Sequence, residues 1–146
     1  MSKATQIKRI LLGIREDNRH YELLCTLLEL QSSSMIRRNS QELNDINGQI
    51  LSLHRLISFN ASERRTLLEE LGLPANNKAI LYLISKLPAT EKSRVTQWWQ
   101  RLESQVRVCK KRNARNGVLL NMQQNILQKL LGAPDDFLYH DAQMAR

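Results

Sequence analysis

A chain of 146 residues, 42% hydrophobic but only 5% aromatic and with five glycines, has the size of one domain and the composition of helices rather than sheet. Twenty-two Lys and Arg against fourteen Asp and Glu leave a formal charge of +8, which keeps binding to phosphates open as a function class. The apolar runs are only a few residues long and Met1–Gln6 lacks an apolar signal core, so the reading is neither a spanning helix nor a secretory leader, and a cytoplasmic location.

In chain order, Ile7, Ile14, Tyr21, Leu28 and Met35 recur every seven residues, with Ile10, Leu11, Leu24 and Cys25 filling the same face. This predicts one long helix with an imperfect seam, because Asp17 and Asn18 interrupt the stripe. Ser32-Ser33-Ser34 weakens its end, and Asn39-Ser40 supplies a cap or a short turn. A second stripe runs through Leu43, Ile46, Ile50, Leu53, Ile57, Leu67 and Leu71 and stops at Gly72, with Pro74 beyond it, the usual order at a helix C-terminus. Asn60 and Arg64 fall on its apolar side, which predicts a bend or local loosening there.

Ala79–Ile84 is an apolar run too short to stand alone and reads as a small packing helix closing one end of a bundle. Pro88-Ala89-Thr90-Glu91 opens a third long helix, with Thr90 as the expected cap and Glu91 near the positive end of the helix dipole. Val95, Trp98 or Trp99, Leu102, Val106, Cys109, Leu120, Ile126, Leu127 and Leu130 carry its stripe to Gly132 and Pro134. At 1.5 Å per residue it spans on the order of 60 Å. The expected architecture is all-α, an antiparallel bundle of three long helices with a short packing helix over residues 1–132, and a loose C-terminal tail over 133–146.

The third long helix changes character midway. Lys110–Gly117 offers no large apolar side chain, after which Val118, Leu119, Leu120 and Met122 make it apolar again. An unshielded stripe of Leu119, Leu120, Ile126, Leu127, Leu130 and Leu131 is a large patch for a soluble monomer, so it is either covered by the first two helices or needs a partner. Of Trp98 and Trp99, about 100° apart on a helix, one is expected to face the core and the other the surface or an interface. Cys25 and Cys109 have no closely spaced Cys or His partners and are expected to be reduced, buried and isolated small side chains, with no metal or cofactor implied.

The Asn113-Ala114-Arg115-Asn116-Gly117 segment, the paired Leu119-Leu120, the Leu130-Leu131-Gly132 helix end and the short Leu138-Tyr139-His140-Asp141-Ala142-Gln143 tail together resemble the FlgN family of flagellar type III export chaperones. The specific match covers about residues 105 to 143, with Arg64-Arg65-x-Leu67-Leu68-x-x-Leu71-Gly72 a weaker echo upstream. The resemblance implies a non-enzymatic helical chaperone that binds the C-terminal helices of the hook-filament junction proteins and delivers them to the export gate. Carried over by position, it implicates Asn113, Asn116, Gly117, Leu119, Leu120, Gln124, Leu127 and Leu130 in binding the client helix. It also implicates Tyr139 and Asp141 in contacting the cytoplasmic domain of the gate. Met144 stands where the family commonly has a glycine, and the tail is shorter than in many members.

Independently of the resemblance, an Asn side chain can pair with the backbone of an incoming helix, and Gly117 allows close approach at a cost of about 1 kcal/mol relative to Ala. The chief rival is a basic helical protein that binds nucleic acid through Lys110, Lys111, Arg112, Arg115, Arg37 and Arg38. It ranks second because these cations are interspersed with acids and lack a recognised frame. An adaptor coiled coil is the other alternative. Three histidines on separate segments and the absence of a Gly-rich loop or nucleophile elbow argue against an enzyme acting on a small molecule. An unoccupied apolar stripe also allows self-association in the absence of client.

Overall fold

The computed structural model describes residues 2–131, apart from the side chains of Leu127, Leu130 and Leu131. The expected tail, with Tyr139 and Asp141, lies outside the described residues. Every regular element described is a helix: α1 (Lys3–Ile36), α2 (Ser40–Glu70), α3 (Asn77–Ser85) and α4 (Ala89–Leu131).

The helix ends follow from local chemistry. Ser2 caps α1, its hydroxyl accepting from the Thr5 amide at 3.2 Å. The three serines do not end that helix, which continues to Ile36 with Ser32 and Ser34 packed inside. It stops instead at Arg38, whose φ of 58° lets its own amide reach the Met35 carbonyl and the Asn39 amide reach Ser34. Asn39 then caps α2: its Oδ1 accepts from the Glu42 amide and its Nδ2 donates back to the Glu42 carboxylate. Gly72, with φ of 76°, closes α2 in the same way, its amide on Glu69 and that of Leu73 on Leu68. Asn76 caps α3 by accepting from the Ala79 amide at 3.0 Å. Thr90 is not the cap of α4. The helix begins at Ala89, with the Lys92 amide already on the Pro88 carbonyl, so that Pro88 and not Thr90 holds the capping position.

The chain divides into two compact units. The first combines residues up to Leu23 with Leu51–Val106, and the second combines Leu24–Ile50 with the described residues from Arg107 on. The first unit holds a continuous apolar core: Ile10 and Ile14 of α1, Leu67 and Leu68 of α2, Ala79, Ile80, Leu83 and Ile84 of α3, and Val95, Trp99 and Leu102 of α4. The short apolar run thus forms the expected packing helix, since all four of its buried residues enter this core. Trp99 is the buried indole. Trp98 packs at the core edge between the guanidinium groups of Arg15 and Arg94, 5.9 and 5.7 Å from its ring centre.

In this unit the polar interruptions of two stripes meet. Asp17, only 2% exposed, accepts from Asn60 Nδ2 at 3.0 Å and pairs with the Arg64 guanidinium, while His20 lies 3.3 Å from the same carboxylate. A buried carboxylate persists only when paired and hydrogen-bonded, and here both conditions are met. Asn18 donates to the Trp98 carbonyl at 2.9 Å, tying α1 to α4. The helix α2 runs unbroken through Asn60 and Arg64, whose polar groups have buried or half-buried partners on α1.

Candidate functional site

The residues singled out by the sequence lie in the second unit, where α4 runs beside the C-terminal part of α1. The buried apolar residues described there are few: Leu27, Leu28, Met35, Ile46 and Cys109. Polar contacts do much of the remaining work. Asn116, 4% exposed, donates its amide to the Leu28 carbonyl and to Gln31 Oε1, both at 2.8 Å. Arg112 donates to the Cys25 carbonyl at 2.8 Å and, with Arg115, brackets Glu29 at 3.2 and 2.9 Å. Further along, Gln123 Nε2 donates to the Met35 carbonyl, and Gln31 donates to Asn47 of α2 at 2.8 Å.

These contacts sort the candidate residues. Asn116 faces inward, and its amide is committed to α1. Asn113 is exposed, whereas Gly117, Leu119, Leu120 and Gln124 are half-buried. Leu127 and Leu130 lie outside the described side chains. The paired leucines are therefore neither wholly covered nor wholly open.

An exposed apolar row lies one step away from them. Val118, Met122 and Ile126 are 59%, 57% and 49% exposed, and their spacing of four places them in one row along α4. Ile126 was expected on the core stripe. It is exposed because α1 ends at Ile36, opposite Gln123, and supplies nothing further to cover the next turn of α4. Ile126 also lines a cavity of about 220 Å³ with Met35, Leu43, Gln123 and the turn residues Arg38 and Asn39. The row thus leads into a partly apolar recess at the α1–α2 turn. Sequence reasoning named Val118 and Met122 only as part of a general apolar return, although their i, i+4, i+8 relation with Ile126 was available to be read.

The cysteines also depart from expectation. Cys25 and Cys109 are not isolated: their Sγ atoms lie 2.7 Å apart, with Cys25 half-buried and Cys109 buried. Burial, then the adjacent Cys25, pushes the Cys109 thiol up to about 12 against the partial opposition of Arg112. Among the described residues no group of three or more His, Cys, Asp or Glu is placed to hold a metal ion. No helix among them is long and apolar enough to cross a membrane.

Against phosphate binding by the Lys110–Arg115 cluster, both arginines are already engaged with Glu29, and Trp98 is held between two guanidinium groups. A half-exposed apolar helix face beside a recess can take an amphipathic helix. A sequence model of a protein family, described as FlgN protein, matches residues 1–133. Among curated proteins and among solved structures, none matches the chain.

Proposed function

The chain belongs to the FlgN family, and from that premise we propose that it is a cytoplasmic flagellar export chaperone, built as an antiparallel bundle of three long helices, that masks the C-terminal helices of the hook-filament junction proteins. The observation that carries the reading is the exposed row Val118–Met122–Ile126 leading into the recess beside Met35 and Leu43. An amphipathic client helix laid along it buries its own apolar stripe against these side chains and the exposed parts of Leu119 and Leu120. Asn113, exposed one turn before the row, is free to meet the client's polar edge. Asn116 and Gly117 act on the other side, holding α4 against α1 so that the row stays outward. Gln124, Leu127 and Leu130 extend the contact towards the helix end, and Tyr139 and Asp141 take the loaded complex to the export gate.

The test is isothermal titration with a peptide covering the C-terminal helical region of the junction proteins, with duplex DNA as a control. Micromolar or tighter 1:1 binding with a negative heat-capacity change, abolished by Met122→Glu with helicity retained, is the expected result. No peptide binding together with strong, salt-dependent DNA binding overturns it in favour of the +8 charge. Concentration-dependent dimerisation that disappears on adding peptide would assign the same row to self-association in the unloaded state.

A further inference from the structure

Two thiols 84 residues apart in sequence, one on α1 and one on α4, meet with their sulfur atoms 2.7 Å apart in an otherwise thinly packed unit. Two reduced sulfurs gain little from such proximity as packing. A disulfide needs about 2.05 Å between sulfurs, so the gap left to close is well under about 1 Å. The two residues are unequally covered, Cys25 being half-buried and Cys109 buried. The Arg112 guanidinium lies against the Cys25 carbonyl and places a cation beside the pair.

We propose that Cys25 and Cys109 form a covalent modification site, oxidised by a hydroperoxide to a disulfide that locks α4 to α1 immediately before the Asn113–Ile126 segment. Cys25, the less buried of the two residues, attacks the peroxide. Its S–O bond forms as the O–O bond breaks, and the departing hydroxide leaves as water with the Cys25 proton. Cys109 then attacks the sulfenic sulfur; the S–S bond forms, the S–O bond breaks, and the second oxygen leaves as water with the Cys109 proton. Two thiols are oxidised by two electrons and hydrogen peroxide is reduced to two waters. Cys109, buried and held protonated, is the poorer thiol to meet the oxidant, and its part in the second step rests on its closeness to the Cys25 sulfur, 2.7 Å away. The lock does not depend on what binds the exposed row, so its test stands apart from the client assignment.

The experiment treats the full-length chain with hydrogen peroxide, quenches with an alkylating reagent and reads the intact mass, followed by a peptide map and reduction by dithiothreitol. The expected result is loss of two hydrogens with no alkyl groups added, a single Cys25–Cys109 linked peptide, and full reversal by reductant. Unfolding the chain in guanidinium before oxidation is expected to slow that intramolecular linkage by a factor on the order of ten or more, because the native pair is already juxtaposed. In Cys109→Ser a dione probe is expected to trap a sulfenic acid on Cys25, and Cys25→Ser is expected to remain reduced under the same exposure. Alkylation of both cysteines after peroxide, intermolecular dimers in place of the internal link, or equal rates in the native and unfolded chains would each overturn the proposal.

Discussion

The first unit holds its helices together with an uninterrupted cluster of eleven buried apolar residues, whereas the second relies on five buried apolar side chains and a ladder of amide and guanidinium contacts to α1. The difference separates two kinds of work. An apolar cluster of that extent supplies the main driving force in its unit, each fully buried aliphatic side chain contributing roughly 1.5–3 kcal/mol. The second unit, thinly packed and polar-stitched, leaves Val118, Met122 and Ile126 exposed in one row along α4, while the first exposes Leu51, Leu56 and Phe59 on α2. The polar contacts to α1 fix which face of α4 is turned inward and so keep that row outward.

Truncation is the sharpest way to break this contrast. Ile14→Ala, in the middle of the apolar cluster, is expected to lower stability by about 2–5 kcal/mol in denaturant unfolding, with the range set by how far the cavity collapses. The same truncation at the exposed Met122 should change stability by less than about 0.5 kcal/mol. Equal losses at the two positions would mean that the row is covered and the contrast false.

Asn116→Ala comes next. It removes the amide that ties α4 to the Leu28 carbonyl, which keeps its place in the α1 ladder, and to half-buried Gln31, and should cost about 0.5–1.5 kcal/mol. Hydrogen exchange is expected to quicken in residues 107–131, while the amides of Ile10 and Ile14 keep their protection.

A pH dependence also belongs to the second unit. The Cys109 thiol is pushed from an ordinary value of 9.0 up to about 12, so below pH 9 both the folded and unfolded chains keep the proton and its contribution is complete. Between pH 9.0 and about 12 the unfolded chain releases that proton while the folded chain retains it, and stability falls as pH rises. The difference between the stability–pH curves of the parent chain and Cys109→Ser isolates this slope, and a parallel pair of curves would refute it. Oxidation to the disulfide removes the proton and should abolish the slope as well.

The smallest effect is a gain. Arg38 occupies the left-handed position that closes α1, with φ of 58°, and its side chain is exposed, so Arg38→Gly should relieve backbone strain and stabilise by up to about 1 kcal/mol. A loss on thermal melting would show instead that the Arg38 side chain supports the recess it lines.

Periodicity made much of this legible. The apolar stripes of α1 and α2 were readable because burial on one face repeats within a single helix, and Gly72 and Asn39 marked ends through conformational and capping preferences that are equally local. Thr90 was misread as a cap because a side-chain acceptor and a proline start offer the same signal, and choosing between them needs the backbone bond from Lys92 to Pro88. The site was only half legible. Asn113, Asn116 and Gly117 stood out as irregular residues in a helix, but whether an asparagine turns inward or outward is not encoded in its spacing.

By itself the sequence determined an all-helical chain, the identity of most buried positions and a change of character at Lys110–Gly117, all of which follow from side-chain polarity counted along one helix at a time. Only the tertiary structure decided that Asp17 meets Asn60 and Arg64, that Asn116 meets Leu28, and that Cys25 meets Cys109. It also decided that α1 stops level with Gln123 and leaves Ile126 open. The physical reason is register: contacts between residues 43 to 88 positions apart depend on how one helix slides and rotates against another. That setting is fixed by the sum of many small contacts and by no residue that can be read alone.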